Sequence, residues 1–310
     1  MKLSFRQMEI IRAVALHGAV TAAAADLGVS QPAVSMALRE STAAVGFPLF
    51  VRAQGRLQPT PELRVFLDEV DRVFKGLERI DRLVSGIRDA SVGSVVIAAT
   101  PTLADNLLPF AVAAVRRARP RIQITVQTMD NLSAVEAVTQ GGVDFGLVLT
   151  PIAETDARLV PLCAAELVCV VPLGHPLAGR VAVTPQDIAP YPLISFSRSL
   201  PLGRLVEKSF LDAGLERRIA LEVNQSSTAL ALVRAGAGVA LIDPYLLVDG
   251  RQHGVVRIRL EPRSIVKAQA LVPVAGTLSR SALLILAAIR RHGGSMHGVS
   301  SLTMRDLPDV

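Results

Sequence analysis

The stretch Thr21-Ala-Ala-Ala-Ala-Asp-Leu-Gly-Val-Ser-Gln-Pro-Ala-Val-Ser35 reads as two short helices meeting at a turn. Thr21 is placed as the N-cap of an alanine-rich helix running through Leu27, and Gly28 ends it. Ser30 then caps a second helix, whose first turn tolerates Pro32 because a proline there gives up only an amide that no intrahelical bond would use. Ala24 is small enough for the helices to touch, and Val29 and Val34 are aliphatics able to lock their crossing. Upstream, Phe5, Met8, Ile11, Ala15 and Leu16 recur at three- and four-residue steps between Ser4 and Gly18, which predicts one more helix stopped by the glycine. Downstream, Leu49–Arg52 and Arg56–Gln58 surround Gln54-Gly55 and predict a hairpin, closed by Pro59-Thr-Pro61. Residues 1–60 therefore read as a winged helix-turn-helix.

The second helix leaves Ser30, Gln31, Pro32, Ser35, Met36 and Arg39 at its start or on its outward face, types able to reach base edges and phosphates in a major groove. Arg52 and Arg56 on the hairpin suit backbone or minor-groove contact. The bland alternative is an αα-hairpin within a core, with both arginines on a solvated tip. Charge favours the first reading: this segment carries Lys2, Arg6, Arg12, Arg39, Arg52 and Arg56 against Glu9, Asp26 and Glu40. Double-stranded DNA is the expected partner.

Over the whole chain, 33 Lys and Arg against 27 Asp and Glu give a net charge of +6, too mild to name a partner without the motif. At 310 residues with 50% apolar content there is room for about two domains with real cores. No apolar run approaches the ~18 residues of a membrane span. Glu9 and Arg12 interrupt what would be the apolar core of an export signal, so a cytoplasmic protein is expected. Two cysteines, Cys163 and Cys169, rule out a disulfide framework and are expected to be buried hydrophobes.

From Pro61 to Arg88 the apolar residues fall on two seven-residue series, Leu63, Val70, Leu77, Val84 and Phe66, Val73, Ile80, Ile87, with Leu67 and Phe74 widening the stripe. Four heptads predict a linker helix (61–90) that self-associates. Strand-like and helical runs then alternate. Val95–Ala99, helix Thr102–Ala118, Ile122–Gln127, helix Leu132–Gln140 and Phe145–Leu149 form one set. Glu166–Val171, Leu193–Phe196, helix Leu202–Ala213, Ile219–Val223, helix Ser226–Ala235 and Val239–Ile242 form another. Alternation argues α/β units with mainly parallel sheets. Ile265–Val272 and helix Arg280–Arg291 have no set of their own and are expected to return to the first unit. The Gly/Ser-rich stretch 294–310 is expected to be mobile.

Ser30-Gln-Pro-Ala-Val-Ser35, Gly46-Phe-Pro-Leu-Phe-Val-Arg52 and Gln58-Pro-Thr-Pro61 resemble the signature of the LysR-type transcriptional regulators, and Pro172-Leu-Gly-His-Pro-Leu177 and Val233-Arg-Ala-Gly-Ala-Gly-Val-Ala240 extend the likeness over nearly the whole chain. Phe74-Lys-Gly-Leu-Glu-Arg-Ile80 and Leu193-Ile-Ser-Phe-Ser-Arg198 are similar to the subgroup of lysine-biosynthesis and opine-catabolism regulators. Met36 departs from the family's usual Arg, and Ser41-Thr42 from its usual Leu-Glu. The resemblance implies a winged helix-turn-helix, a long linker helix and a C-terminal α/β domain of the type 2 periplasmic-binding-protein kind. That domain (91–293) would have lobe I at 91–162 and 268–293 and lobe II at 163–267, with two crossover strands.

It further implies a homodimer or tetramer, and an effector cleft lined by Thr100, Pro101 and Thr102 opposite Ser195, Ser197, Gln225, Ser226 and Ser227. Hydroxyls at helix N-termini suit a carboxylate, and Asp130 at the rim suits an α-amino group, so an amino acid or derivative is the expected effector. Few aromatics (4%) lean away from an aromatic acid.

No cofactor and no metal are expected, because the five histidines are scattered without metal-ligand spacing. Gly236 and Gly238 follow a helix and precede a strand, the reverse of a dinucleotide fingerprint. Ser264-Ile-Val-Lys267 matches SxxK without its companion motifs. The expected cleft offers hydroxyls and amides but no nucleophile or acid–base pair, which argues against an enzyme. The rival of another class is a solute-binding or two-lobed cleft protein without a regulatory role.

Overall fold

The structure, a computed structural model, describes residues 3–53, 55–88, 93–150, 155–247, 254–274, 277–295 and 299–301. The chain forms two compact units, residues 1–80 and 81–310.

The first unit contains α1 (Phe5–His17), α2 (Val20–Asp26), α3 (Gln31–Val45), the hairpin β1 (Phe50–Ala53) and β2 (Arg56–Pro59), and the first turns of α4 (Pro61–Arg88). Ser4 and Gln7 close a reciprocal capping box on α1, and Gly18 ends it with φ 68°, a conformation only glycine adopts freely. Ser30 caps α3 by accepting from the Ala33 amide. Thr21 is not a cap: α2 starts two residues earlier than that reading implies, at Val20 after Ala19, whose side chain can make no capping bond. Ile10, Ala13, Val14, Ala23, Ala24 and Val34 form the core. Ser41 is fully buried, which its hydroxyl tolerates by donating to the Ala37 carbonyl, and Thr42 does the same to Leu38.

Thr60 roots α4: its hydroxyl donates to the Pro48 carbonyl at 2.9 Å and accepts from the Leu63 amide. Leu63 joins Ile11 and Leu49 in a second small core. Here the heptad stripe divides. Leu63 and Val70 are buried by the protein's own first unit, whereas Val73, Leu77, Ile80 and Val84 lie open. The Ile87 side chain falls outside the described residues. The seam available to a partner thus begins at Val73, later than the periodicity implied.

In the second unit, β3 (Ser94–Ala99), α5 (Pro101–Asn106), α6 (Leu108–Ala118), β4 (Gln123–Thr128), α7 (Asn131–Thr139), β5 (Phe145–Thr150) and β6 (Arg158–Glu166) build the first lobe. The second lobe follows with β7 (Val168–Pro172), β8 (Ala182–Val183), α8 (Pro185–Ile188), β9 (Leu193–Phe196), α9 (Pro201–Asp212), β10 (Leu221–Val223), α10 (Ser226–Arg234), β11 (Val239–Ile242), a 3-10 turn (Pro244–Leu247) and β12 (Val255–Leu260). β13 (Ile265–Val272), α11 (Arg280–Ser295) and β14 (Val299–Ser301) return to the first lobe. The sheets run β14-β6-β13-β5-β3-β4 and β10-β9-β11-β7-β12-β8.

Several expectations change. The predicted helix Thr102–Ala118 breaks at Leu107, because Pro109 cannot donate to the preceding turn and instead sits in the first turn of α6. Strand β6 was not expected, since Pro161 interrupts its pattern. The register with β13 shifts between Ala268 and Gln269, so a bulge accommodates the proline. Because Glu166 pairs with Ile265 in the first sheet, the lobes change at 166/167 and 264/265, not at 162/163 and 267/268. The stretch 294–310 is not simply a mobile tail: α11 reaches Ser295, and Val299–Ser301 add a strand to the β6 edge. Residues 296–298 and 302–310 lie outside the described residues. Among the described residues, no helix is long and apolar enough to cross a membrane.

Replacing Leu63 with Ala should destabilise the first unit by about 2–5 kcal/mol, the usual range for emptying a buried leucine site. Val65, on the same turn but 71% exposed, should tolerate alanine within about 0.5 kcal/mol. Chemical denaturation of the two full-length variants checks the contrast.

Candidate functional site

The outward face of α3 carries two parallel rows. Gln31 Nε2 donates to Ser35 Oγ at 3.0 Å, and Arg39 Nε donates to the Ser35 carbonyl at 3.4 Å, so both long polar side chains are held by Ser35, one turn away on either side. Beside them Pro32 and Met36 are exposed and apolar. Ser30 uses its hydroxyl as the cap, leaving it at the mouth of the helix. Arg52 and Arg56 are exposed on the hairpin, as expected, and the Leu57 amide bonds the Gly18 carbonyl at 2.8 Å, tying the wing to the end of α1. A helix with preorganised polar groups and a cationic wing is a nucleic-acid surface by chemistry, able to reach base edges and phosphates together.

In the second unit the sequence-predicted residues stand where parallel strands end. Thr100 follows β3 and Asp130 precedes α7 after β4, while Ser197 follows β9 and Gln225 lies after β10 at the head of α10. Carboxyl ends of parallel strands are the usual ligand edge of an α/β sheet. The lobes meet there: α5 packs against the 3-10 turn that follows β11, and α9 packs against β5. Tyr245 of that turn donates from Oη to the Cys163 carbonyl of β6 at 3.3 Å, a direct bond from one lobe to the other.

The hydroxyls differ in what they are free to do. Thr100 is 7% exposed and its Oγ1 is buried with no partner, although its amide bonds the Leu147 carbonyl. Thr102 is buried beside it in α5, which begins at Pro101. Ser195 points inward, accepting from the Arg217 guanidinium at 3.2 Å, and so does not line a cleft with a free hydroxyl. Ser226 is also engaged, donating to Asp243 at 2.6 Å. Ser197 accepts from Ser199, and Gln225 and Ser227 are exposed. Asp130 caps α7, both of its oxygens bonded by Ser133. The Ser133 amide outweighs the cost of partial burial and holds the Asp130 carboxyl below its ordinary range, so it stays ionised.

Three buried polar residues escaped the sequence reading. Asp243 is fully buried at the end of β11, and loss of solvent, only partly offset by the Ser226 hydroxyl, pushes its carboxyl up to about 6. It places a carboxylate beside groups read as hydroxyls and amides alone. Arg217 donates to Ser195, to the Phe196 carbonyl and to the Gly203 carbonyl, and pairs with Glu207 at 2.6 Å. It thereby pins the β9–α9 connection, where a Cβ on Gly203 would stand 1.9 Å from the Ser197 carbonyl oxygen. Tyr245 is the third. The only signal for Asp243 was an acid inside the apolar run Leu241-Ile-Asp-Pro-Tyr245; nothing marked Arg217.

Cys163 and Cys169 are buried, as expected, and burial pushes their thiols up to about 11 and about 12, which disfavours the reactive thiolate. Among the described residues no cluster of three His, Cys, Asp or Glu side chains could hold a metal ion.

Comparison with known proteins agrees with this geometry. The family described as "Bacterial regulatory helix-turn-helix protein, lysR family" matches residues 5–62, and "LysR substrate binding domain" matches residues 88–294. The chain is 35% identical over 263 residues to the octopine catabolism/uptake operon regulatory protein OccR of Rhizobium meliloti, covering 85% of this chain and 86% of that protein. It is 31% identical to the transcriptional activator protein LysR of Escherichia coli, covering 82% of each. Among solved structures, full-length CbnR, a LysR family regulator complexed with its target DNA, is similar in fold with a TM-score of 0.74 at 23% identity, over 94% of this chain and 100% of that one. A regulatory helix-turn-helix ahead of the two-lobed domain sets aside the solute-binding alternative.

Asp243 generates a pH prediction. Its proton is held in the fold up to about pH 6, but in the unfolded chain it leaves at about 3.9. Between these values the folded state binds more protons, so the stability contribution is present at about pH 4 and lost as pH rises through about 6, amounting to about 3 kcal/mol. Urea unfolding between pH 4 and 7 should show this decline in the wild type and its absence in Asp243→Asn. Parallel profiles would refute the assignment.

Proposed function

Since the chain belongs to the LysR family of transcriptional regulators, and is thus a DNA-binding regulator with an effector-binding domain rather than an enzyme, we propose residue roles for both activities. The polar row Gln31, Ser35 and Arg39 enters a major groove with Ser30 and Pro32 at the leading end, while Arg52 and Arg56 meet the phosphate backbone from the wing. Support comes from the exposure of Ser30, Gln31, Pro32, Arg39, Arg52 and Arg56, with Ser35 half-buried, and from the internal bonds that hold the row in one geometry. Preorganisation lowers the rotamer entropy lost on binding.

The effector is an amino acid or amino-acid derivative held by its carboxylate at Thr100, Pro101 and Thr102, with Ser197, Gln225 and Ser227 on the opposing lobe and Asp130 accepting from the ammonium at the rim. The observation that carries this reading is the Thr100 hydroxyl, buried without a partner where the lobes meet. Leaving a buried hydroxyl unpaired costs about 1–3 kcal/mol, which a ligand oxygen would recover. OccR, named for octopine catabolism, supports the same ligand class. Calorimetry of the full chain with an amino-acid panel and the matching methyl esters tests it. The best acid should bind at least about tenfold more tightly than its ester, as expected for a lost hydrogen bond to a charged group, and Thr100→Val should narrow that gap. An ester that binds as well as the acid rejects the site.

We assign the dimer seam to Val73, Leu77, Ile80 and Val84, four exposed apolar residues spaced four, three and four apart on α4. Aspartate at Val73 and Ile80 would set charge against the partner's apolar face. Sedimentation should show the double variant folded and monomeric where the wild type is dimeric or tetrameric.

A further inference from the structure

We propose that Met36 is a specificity-determining residue of α3, reading the C5-methyl group of a thymine in the major groove; the proposal rests on the groove placement of α3 argued above. Met36 is 57% exposed, a large apolar side chain open on the outward face of α3. It does not share the polar row. Gln31, Ser35 and Arg39 are linked to one another four residues apart, whereas Met36 lies in the adjoining row, between Pro32 and Glu40. Glu40 is turned back to α1, accepting from Gln7 Nε2 at 3.5 Å, which draws its negative charge away from an approaching phosphate. The second row thus presents an apolar surface to whatever the first row binds.

The chemistry of base edges selects the occupant. A thioether side chain donates no hydrogen bond and accepts weakly. Set against guanine O6 and N7, the cytosine amino group or the adenine amino group, it would strip water from a polar atom and return nothing. The thymine methyl is the one apolar group on the major-groove edge of the four bases. Met36 lies five residues beyond Gln31, about 7.5 Å along the helix, so the methyl belongs to a different base pair from the one beneath Gln31. An unbranched side chain adapts to such a contact without strain.

The test uses the full-length chain and a duplex selected by it from a random pool. Each thymine is replaced singly by deoxyuridine, which removes the methyl and leaves every hydrogen-bonding group in place. Wild type should lose about 3–10-fold in affinity at one thymine per half-site, the scale of one buried methyl contact. Met36→Ala should bind the parent duplex about as weakly as wild type binds that deoxyuridine duplex, and lose nothing more on substitution. Met36→Leu should keep the sensitivity. Indifference of the wild type to every deoxyuridine, or an undiminished loss at the same thymine in Met36→Ala, overturns the proposal. A Gln31→Ala, Ser35→Ala, Arg39→Ala triple variant separates the two levels. If it binds like wild type, α3 is not in the groove and both readings fall; if it is weakened while the methyl effect is missing, only the role of Met36 falls.

Discussion

Two chain passages, Glu166–Leu167 outward and Ser264–Ile265 on the return, join the lobes of the second unit side by side. The Leu167 amide donates to the Ser264 carbonyl at 2.8 Å, and Glu166 pairs with Ile265. The two adjacent crossings thus satisfy some of each other's backbone groups. Their placement sets the rest of the domain. β13 returns between β6 and β5, and β7 lies between β11 and β12, so each sheet receives an antiparallel strand from the crossing while its remaining parallel strands end toward the other lobe. The ligand edge is a consequence of that pairing, because it turns the carboxyl ends of β3 and β11 toward one junction.

At that junction the polar groups are unusually costly. Asp243 has one oxygen satisfied by Ser226 and the other buried without a partner, and Thr100 Oγ1 is in the same position on the facing lobe. Tyr245 spends its hydroxyl on the Cys163 carbonyl across the gap. Buried polar atoms without partners carry a desolvation cost that a hydrogen-bonding partner would offset. In the effector site proposed above, a ligand bringing matched polar groups would pair with these atoms, and its binding energy would act where the lobes touch.

The helix-turn-helix was legible because its signals are local: Ser30, Pro32, Gly18 and Gly28 each act within one turn of chain. In lobe I, β3 and β5 were legible for a similar reason, as short apolar runs. What sequence reasoning missed required distant partners. Pro161 argues against a strand until a bulge opposite Ala268 and Gln269 absorbs it. Arg217 looks like any surface arginine until Ser195 and Phe196 of β9 and Gly203 and Glu207 of α9 converge on it. Ser195 and Ser226 were read as cleft hydroxyls from the family resemblance, which places a hydroxyl there but does not say which neighbour already bonds it.

The linker helix shows the same limit with a mechanical consequence. A seven-residue apolar repeat states that a stripe will be covered, but Leu63 and Val70 satisfy it against their own unit while Val73, Leu77, Ile80 and Val84 remain open. The changeover coincides with a rigid joint. Arg12 pairs with Asp71 at 2.7 Å and stacks its guanidinium 5.1 Å from the Phe74 ring, which packs on Phe5 at 4.5 Å. The exposed ion pair adds little stability by itself, yet with the aromatic contacts it fixes the angle between α1 and α4. In the dimer assigned above, the separation of the two recognition helices is then set by α4 and not by a flexible loop. A regulator built this way reads half-site spacing as a geometric property of its linker.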